Sequence, residues 1–257
     1  MMNNKFLLLV LLFPLLYSCQ KYNKAPFDDY EKKIRNYSIE NNKEITIDSL
    51  WQKRDSLSYT RLQNIEFIYI DNVSSFPKWI FDYKKLKSLR TTIKKSNLVD
   101  IPNQINKLEH LNNVSINNTQ IKSLPETLYN LKNLEGLTFE YNNIANISKN
   151  IGKLEQIKRV SFMGNPIKHI PVEICKLQKL ESLVLANTKI TELPKCLENL
   201  QNLDWIDISG TLITEFPIEI LNAPKLDEID AKGLKLKNYK EVKAICEKKK
   251  ITFLYDE

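Results

Sequence analysis

The chain has 257 residues, with 38 Lys and Arg against 31 Asp and Glu, a formal charge of +7. Its two histidines, five glycines and four cysteines form no HExxH, no CxxC, no His/Cys cluster and no Gly-rich phosphate loop, so no metal or cofactor is expected. The positive balance comes without aromatic residues interleaved among the basic ones, which argues against nucleic acid as a partner.

The first residues read as an address. Lys5 precedes a 12-residue apolar run, Phe6 to Tyr17, which is too short for a membrane-spanning helix of about 20 residues. Residues 1–18 have the shape of a secretory signal peptide. Its end, Leu16-Tyr17-Ser18-Cys19, resembles the lipobox of bacterial lipoproteins, although Tyr17 stands where that family has a small residue. The resemblance implies that Cys19 becomes the lipid-modified N-terminus. Two or three acyl chains hold a protein stably on a membrane, whereas one chain binds marginally. Gln20 is not the Asp that resembles an inner-membrane retention mark in such lipoproteins. The expected location is therefore the bacterial cell envelope, lipid-anchored, at the outer membrane, with periplasmic or surface exposure left open. Residues 19–44 are polar and charge-mixed and suit a tether. Residues 45–61, with Ile45, Ile47, Leu50, Trp51, Leu57 and Tyr59, suit an N-terminal cap.

Residues 62–222 then repeat in about seven units. Leu108, Leu131, Leu154, Leu177 and Leu200 recur every 23 residues, each followed by an aliphatic at Leu111, Leu134, Ile157, Leu180 and Leu203. A second apolar column is Ile121, Ile144, Ile167, Ile190 and Ile213. Such spacing is expected of stacked coils, where each unit presents the same face to its neighbour. Within each unit a short apolar–polar–apolar alternation (Val114/Ile116, Leu137/Phe139, Val160/Phe162, Leu183/Leu185, Ile206/Ile208) predicts one strand. Strands that all run one way make a parallel sheet, and the rest of each unit supplies the crossover. A polar column, Thr119, Asn142, Asn165, Thr188 and Thr211, lies between apolar residues. It is expected to point inward and satisfy backbone groups where the coil turns. On the return side an apolar–Pro ladder (Phe76-Pro77, Ile101-Pro102, Leu124-Pro125, Ile170-Pro171, Leu193-Pro194, Phe216-Pro217) is broken only by Ile147-Ser148. Proline there suits the start of a short helical or 3₁₀ turn.

These residues resemble the leucine-rich repeat family, with the pattern LxxLxxLxLxxNxLxxLPxxIxx best seen over Leu154–Lys176. The resemblance implies an α/β solenoid: a right-handed curved coil with the parallel sheet on its concave face and short helical or 3₁₀ turns on the convex face. It is regular over 108–222, irregular over 62–107 and absent before about residue 45. The unit at 62–82 is short and the unit at 83–107 long, so each needs an altered loop.

Residues 223–257 continue the phase and then leave it. Asn238 is the expected N-cap of a helix over 239–249, followed by a strand over 251–255, together a C-terminal cap. Eight lysines from Lys232 to Lys250 are expected to form a solvated face, with attraction to anionic lipid or glycan as the alternative. Cys175 and Cys196 lie on return segments of adjacent units, two positions out of phase. Geometry permits a disulfide there, but Cys175 is expected as a partly buried small hydrophobe.

The strand residues that alternate with the buried ones line the concave face, which eight strands would extend to roughly 34 Å. Arg159, Met163, Val184, Ala186, Trp205 and Asp207 fall there on three consecutive strands. A Trp exposed on such a face is the mark of a binding hot spot, while the alternative is a ring lying flat on its strand neighbours. The expected function is non-enzymatic: a monomeric module that binds a protein or peptide through Arg159, Met163, Val184, Trp205 and Asp207. A glycan on the small polar flank Asn113, Ser115, Asn117 and Thr138, or a scaffolding role in envelope complexes, are the rivals. A hidden enzyme site would have to draw on Glu140, Asp207, Glu228 and Asp230, the acids of this face.

Overall fold

Each repeat places the same aliphatic side chains at the same height. The computed structural model describes residues 66–70, 73–91 and 95–256, the side chain of Trp79 excepted. All of them belong to one compact unit, Arg54–Glu257. The expected signal peptide, Cys19, the tether and the cap at 45–61 lie outside the described residues.

Among the described residues nine strands form one parallel sheet in chain order: β1 Phe67–Ile70, β2 Ser88–Thr91, β3 Asn113–Ser115, β4 Gly136–Thr138, β5 Arg159–Ser161, β6 Ser182–Val184, β7 Trp205–Asp207, β8 Glu228–Asp230 and β9 Thr252–Leu254. From β3 to β8 the in-register partners are 23 residues apart, as Gly136 and Arg159 are. The ladder runs past the strand ends, with Tyr141 N–H donating to Met163 O at 2.8 Å and Gly164 N–H to Ala186 O at 2.9 Å. Seven five-residue 3₁₀ turns, from Lys78–Asp82 to Ile218–Asn222, return the chain. Proline precedes six of them, and Ser148 precedes the one at Lys149–Lys153. Ser148 does by side chain what Pro does by ring constraint: its hydroxyl accepts the Asn150 N–H at 3.1 Å.

The leucine and isoleucine columns fill the space between sheet and turns. Leu108, Leu111, Leu177, Leu180 and Leu200 have no exposed surface. The polar column is buried with them and bonds the backbone. Asn165 Nδ2 donates to Phe139 O at 2.6 Å, Phe162 O at 2.9 Å and Met163 O at 3.2 Å, and its Oδ1 accepts Ile144 N–H at 3.0 Å. Asn142 does the same for Ile116 O and Glu140 O and also accepts from the Thr119 hydroxyl. Thr188 and Thr211 donate to Leu185 O and Ile208 O, both at 2.7 Å. The column begins one coil earlier than expected, at buried Ser96, which donates to Val73 O at 2.8 Å. Ser96 is in phase with Thr119, whereas Leu89 pairs with Val114 two positions out of that phase. The extra length of the second unit therefore lies between Leu89 and Ser96.

Two expectations are corrected. Cys175 and Cys196 are joined by a disulfide with Cα atoms 5.9 Å apart, inside the range a bridge spans. The two-position offset is absorbed because Cys196 and the in-phase Glu198 share one five-residue turn, Lys195–Asn199. Cys246 is free and buried. Asn238 precedes helix α1, Tyr239–Lys249, but its side chain makes no cap bond. It clamps the last coil instead, accepting Phe216 N–H at 3.1 Å and donating to Phe216 O at 2.8 Å. Helix α1 ends on left-handed Lys250 (φ 61°). Tyr239, at the start of α1, stacks with Phe253 of β9 and with Tyr255, the two tyrosine rings 4.4 Å apart.

Candidate functional site

The sheet presents three rows of side chains away from the core. In-register pairing aligns the first as Asn113, Gly136, Arg159, Ser182, Trp205 and Glu228, and the second as Ser115, Thr138, Ser161, Val184, Asp207 and Asp230. Two residues beyond each strand follow Asn117, Glu140, Met163, Ala186, Ser209 and Lys232. The structure thus brings Arg159, Met163, Val184, Ala186, Trp205 and Asp207 onto neighbouring strands β5, β6 and β7.

These residues do not stand off the sheet. Trp205 is 8 % exposed, Met163 7 % and Val184 6 %, so the expectation of an exposed Trp is corrected. The register partner of Trp205 on β6 is the small residue Ser182, itself buried. The cluster is a low, largely apolar floor. Arg159 on β5 is half-buried, with its Nε enclosed and without a hydrogen-bond partner, as is Asn113 Oδ1 in the same row. Buried groups left unpaired cost free energy.

Two carboxylates border the floor. Glu140 accepts the Ser161 hydroxyl at 2.6 Å, and burial pushes its carboxyl above the usual range. Asp207 is 5 % exposed. Its Oδ1 accepts Ser209 N–H at 3.0 Å and the Ser209 hydroxyl at 2.7 Å. Burial still pushes the Asp207 carboxyl up to about 6, with the neighbouring Asp230 charge adding to the rise. Among the described residues no cation lies within ion-pairing distance of either carboxylate. Lys232 reaches Asp230 at 3.2 Å instead.

Tyr141 is the residue that sequence reasoning missed. The loop after each of the six strands β3 to β8 contains one left-handed residue, and the column reads Asn118, Tyr141, Gly164, Asn187, Gly210 and Gly233, with φ between 53° and 74°. Asn and Gly visit this region readily, whereas a bulky side chain there is strained by about 1 kcal/mol or more. The tyrosine ring reaches over the next coil: a Cβ on Gly164 would lie 2.6 Å from Tyr141 Cδ1. Burial raises the phenol's pKa, as do the charges of Glu140 and Asp207. Asn or Gly at five of six positions 23 residues apart was the available signal.

Comparison with known proteins bears on the architecture. Residues 155–213 match the family model described as leucine rich repeat. A leucine-rich repeat protein of Leptospira interrogans shares the fold with a TM-score of 0.54 and 22 % identity, covering 76 % of this chain and 62 % of that one. An internalin, InlF, of Listeria monocytogenes does so with a TM-score of 0.59 and 19 % identity, covering 82 % and 66 %. The fold is a leucine-rich repeat solenoid. The solenoid also resembles the plant peptide hormone receptor RGFR1, solved in complex with RGF2, with a TM-score of 0.60 and 23 % identity over 76 % of this chain and 32 % of the receptor. This solenoid thus spans less than two thirds of each of those chains. No curated protein matches it in sequence. Among the described residues of the solenoid no group of three or more His, Cys, Asp or Glu is placed to hold a metal ion, and no helix is long and apolar enough to cross a membrane.

Proposed function

We propose that this chain is a non-enzymatic interaction module, a lipid-anchored protein of the bacterial cell envelope whose strand-lined face binds a protein or peptide. The observation that carries the reading is the contrast on one sheet. The inward rows repeat a single residue class, while the outward rows bring Arg159, Met163, Val184, Trp205 and Asp207 together on three strands. Aromatic residues and arginine beside an apolar floor are the composition of binding hot spots. Structural relatives include a receptor solved with RGF2. The address at Met1–Cys19 supports export and anchoring, and the Cys175–Cys196 disulfide fits an oxidising compartment. Placement at the outer membrane, and a single copy as the active form, complete the proposal.

Truncating Trp205 would leave a large void. The test instead introduces Val184→Arg in the floor, whose long side chain can reach out over the face, with a thermal scan to check its fold. A photo-crosslinking residue is placed at Thr138 on the face or at Lys153 on a return turn. In intact cells the Thr138 probe should capture a partner that Val184→Arg abolishes, and the Lys153 probe should not. Equal capture from both probes would overturn the reading. Cys19→Ser should move the protein from the membrane to the soluble fraction. An unchanged distribution would overturn the anchor.

A further inference from the structure

Three properties of the face over β4 to β7 converge on one partner chemistry. The first is charge. The chain as a whole carries +7, yet this spot presents two carboxylates that form no ion pair among the described residues, Lys232 acting on Asp207 only from a distance while it pairs with Asp230. Asp207 is 5 % exposed, and its Oδ2 has no hydrogen-bond donor among the described residues. Both Ser209 bonds go to Oδ1. An anionic partner would be repelled here. A neutral one would strip the remaining water from both carboxylates without replacing it. A cation replaces that water with a charge-assisted bond.

The second property is the floor. Met163, Val184 and Ala186 are buried and apolar and lie between Glu140 on one side and Asp207 on the other. Lysine and arginine lay their methylene stems on such surfaces and keep the charged end at a polar edge. The third is Tyr141. Its ring occupies the space that Gly164 leaves open, and its hydroxyl feels both carboxylates. Stacking of coils is served at this position by Asn or Gly in the other five units from β3 to β8. A tyrosine face beside carboxylates attracts an ammonium or guanidinium group. From β4 to β7 the face spans roughly 14 Å, about four residues of extended chain.

We infer that this face seats an extended partner segment bearing a lysine or arginine, its stem along Met163 and Val184 and its charged end among Tyr141, Glu140 and Asp207. The inference rests on the proposed role of the face as a binding surface and adds the partner's chemistry. The raised carboxyls of Glu140 and Asp207 accord with it, since they mark carboxylates that have lost water without gaining a cation.

The experiment pans a random linear peptide library, displayed on phage, against the full chain, then measures the enriched sequences as synthetic peptides by fluorescence anisotropy. The expected result is a fixed Lys or Arg in the enriched set. Replacing it by norleucine should weaken binding about tenfold or more. The double variant Glu140→Gln/Asp207→Asn should weaken the parent peptide equally, and the two losses should not add, as a double-mutant cycle requires of a direct pair. Val184→Arg should abolish binding. Peptides lost with Val184→Arg but lacking a basic residue and indifferent to Glu140→Gln/Asp207→Asn would overturn the cation seat and leave the binding face standing. Peptides indifferent to all three variants, or no enrichment at all, would overturn both. A thermal scan of each variant guards against misfolding. Single Glu140→Gln replaces the double variant should the latter unfold early.

Discussion

On the side of the 3₁₀ turns, Ile105, Leu128, Ile151, Ile174, Leu197 and Ile220 follow one another without change of kind, and none has exposed surface. On the sheet face, positions in equally strict register run Asn113, Gly136, Arg159, Ser182, Trp205 and Glu228. Both sets ride on the same backbone period, so stacking alone cannot account for the difference. Where a residue's neighbours are copies of itself, packing selects one class. Where its neighbour is solvent or a partner, packing stops selecting and other chemistry is free to enter. The two sides should therefore respond differently to mutation: return-side and interior changes should act on stability, face changes on capture.

The largest expected effect is in the interior. Asn165→Leu removes the side chain that bonds three carbonyls and one N–H, leaving Phe139 O, Phe162 O and Ile144 N–H without that partner, while Met163 O keeps Tyr141 N–H. It should destabilise the protein by about 3–4 kcal/mol, read from urea unfolding, with unchanged affinity in the fraction that remains folded. A loss under about 1 kcal/mol would mean that the column is less essential than its bonds imply. Next comes the return-side disulfide. Cys175→Ala/Cys196→Ala should cost about 3 kcal/mol on the chain-entropy estimate, and reducing agent should lower the Tm of wild type but not of the variant.

Two smaller effects sharpen the account of the face. Gly164→Ala and Gly233→Ala share the cost of a left-handed alanine. Only at Gly164 does the new Cβ meet a ring, at 2.6 Å from Tyr141, whereas at Gly233 the nearest atom is 3.7 Å away. Gly164→Ala should be worse by about 1–2 kcal/mol, and the excess should vanish in a Tyr141→Asn background. Asp207 gives the smallest shift. Its folded pKa, about 6, lies above the unfolded value of about 3.9. The unfolded state therefore ionises first, and stability is lost as pH rises from about 4 to about 6. The carboxyl faces Asp230, whose charge raises it, and Lys232, whose charge lowers it. Asp207→Asn should stabilise the protein by about 1 kcal/mol at pH 7 and by nothing near pH 4, measured as the difference between two pH-dependent unfolding curves. A constant difference across that window would place the carboxyl in water.

The repeat itself was legible because each coil packs on a copy: strand positions, parallel order, polar column and the helix at Tyr239–Lys249 all follow from periods in the chain. Ser96 was missed because two additional residues after Leu89 hide its phase. The disulfide was misjudged because phase was counted along the sequence, whereas one five-residue turn places Cys196 and Glu198 within reach of the same neighbour. Exposure of Trp205 was misread because it depends on the residues beside it across strands, small Ser182 among them, and no single repeat contains that information. Of the candidate site, the five nominated residues do share one patch. Tyr141 stayed hidden because a left-handed backbone angle has no hydrophobic period. Its trace was a column of Asn and Gly with one aromatic in it.

The most direct measurement takes Tyr141→Asn and reads stability and binding on the same sample. Asn is the residue that the column uses elsewhere, and it relieves the left-handed strain while removing the ring from the face. A Tm at or above that of wild type, together with about tenfold weaker capture of a basic peptide, is the predicted result. A lowered Tm with undiminished capture would contradict it, because Tyr141 would then serve the stack and not a partner.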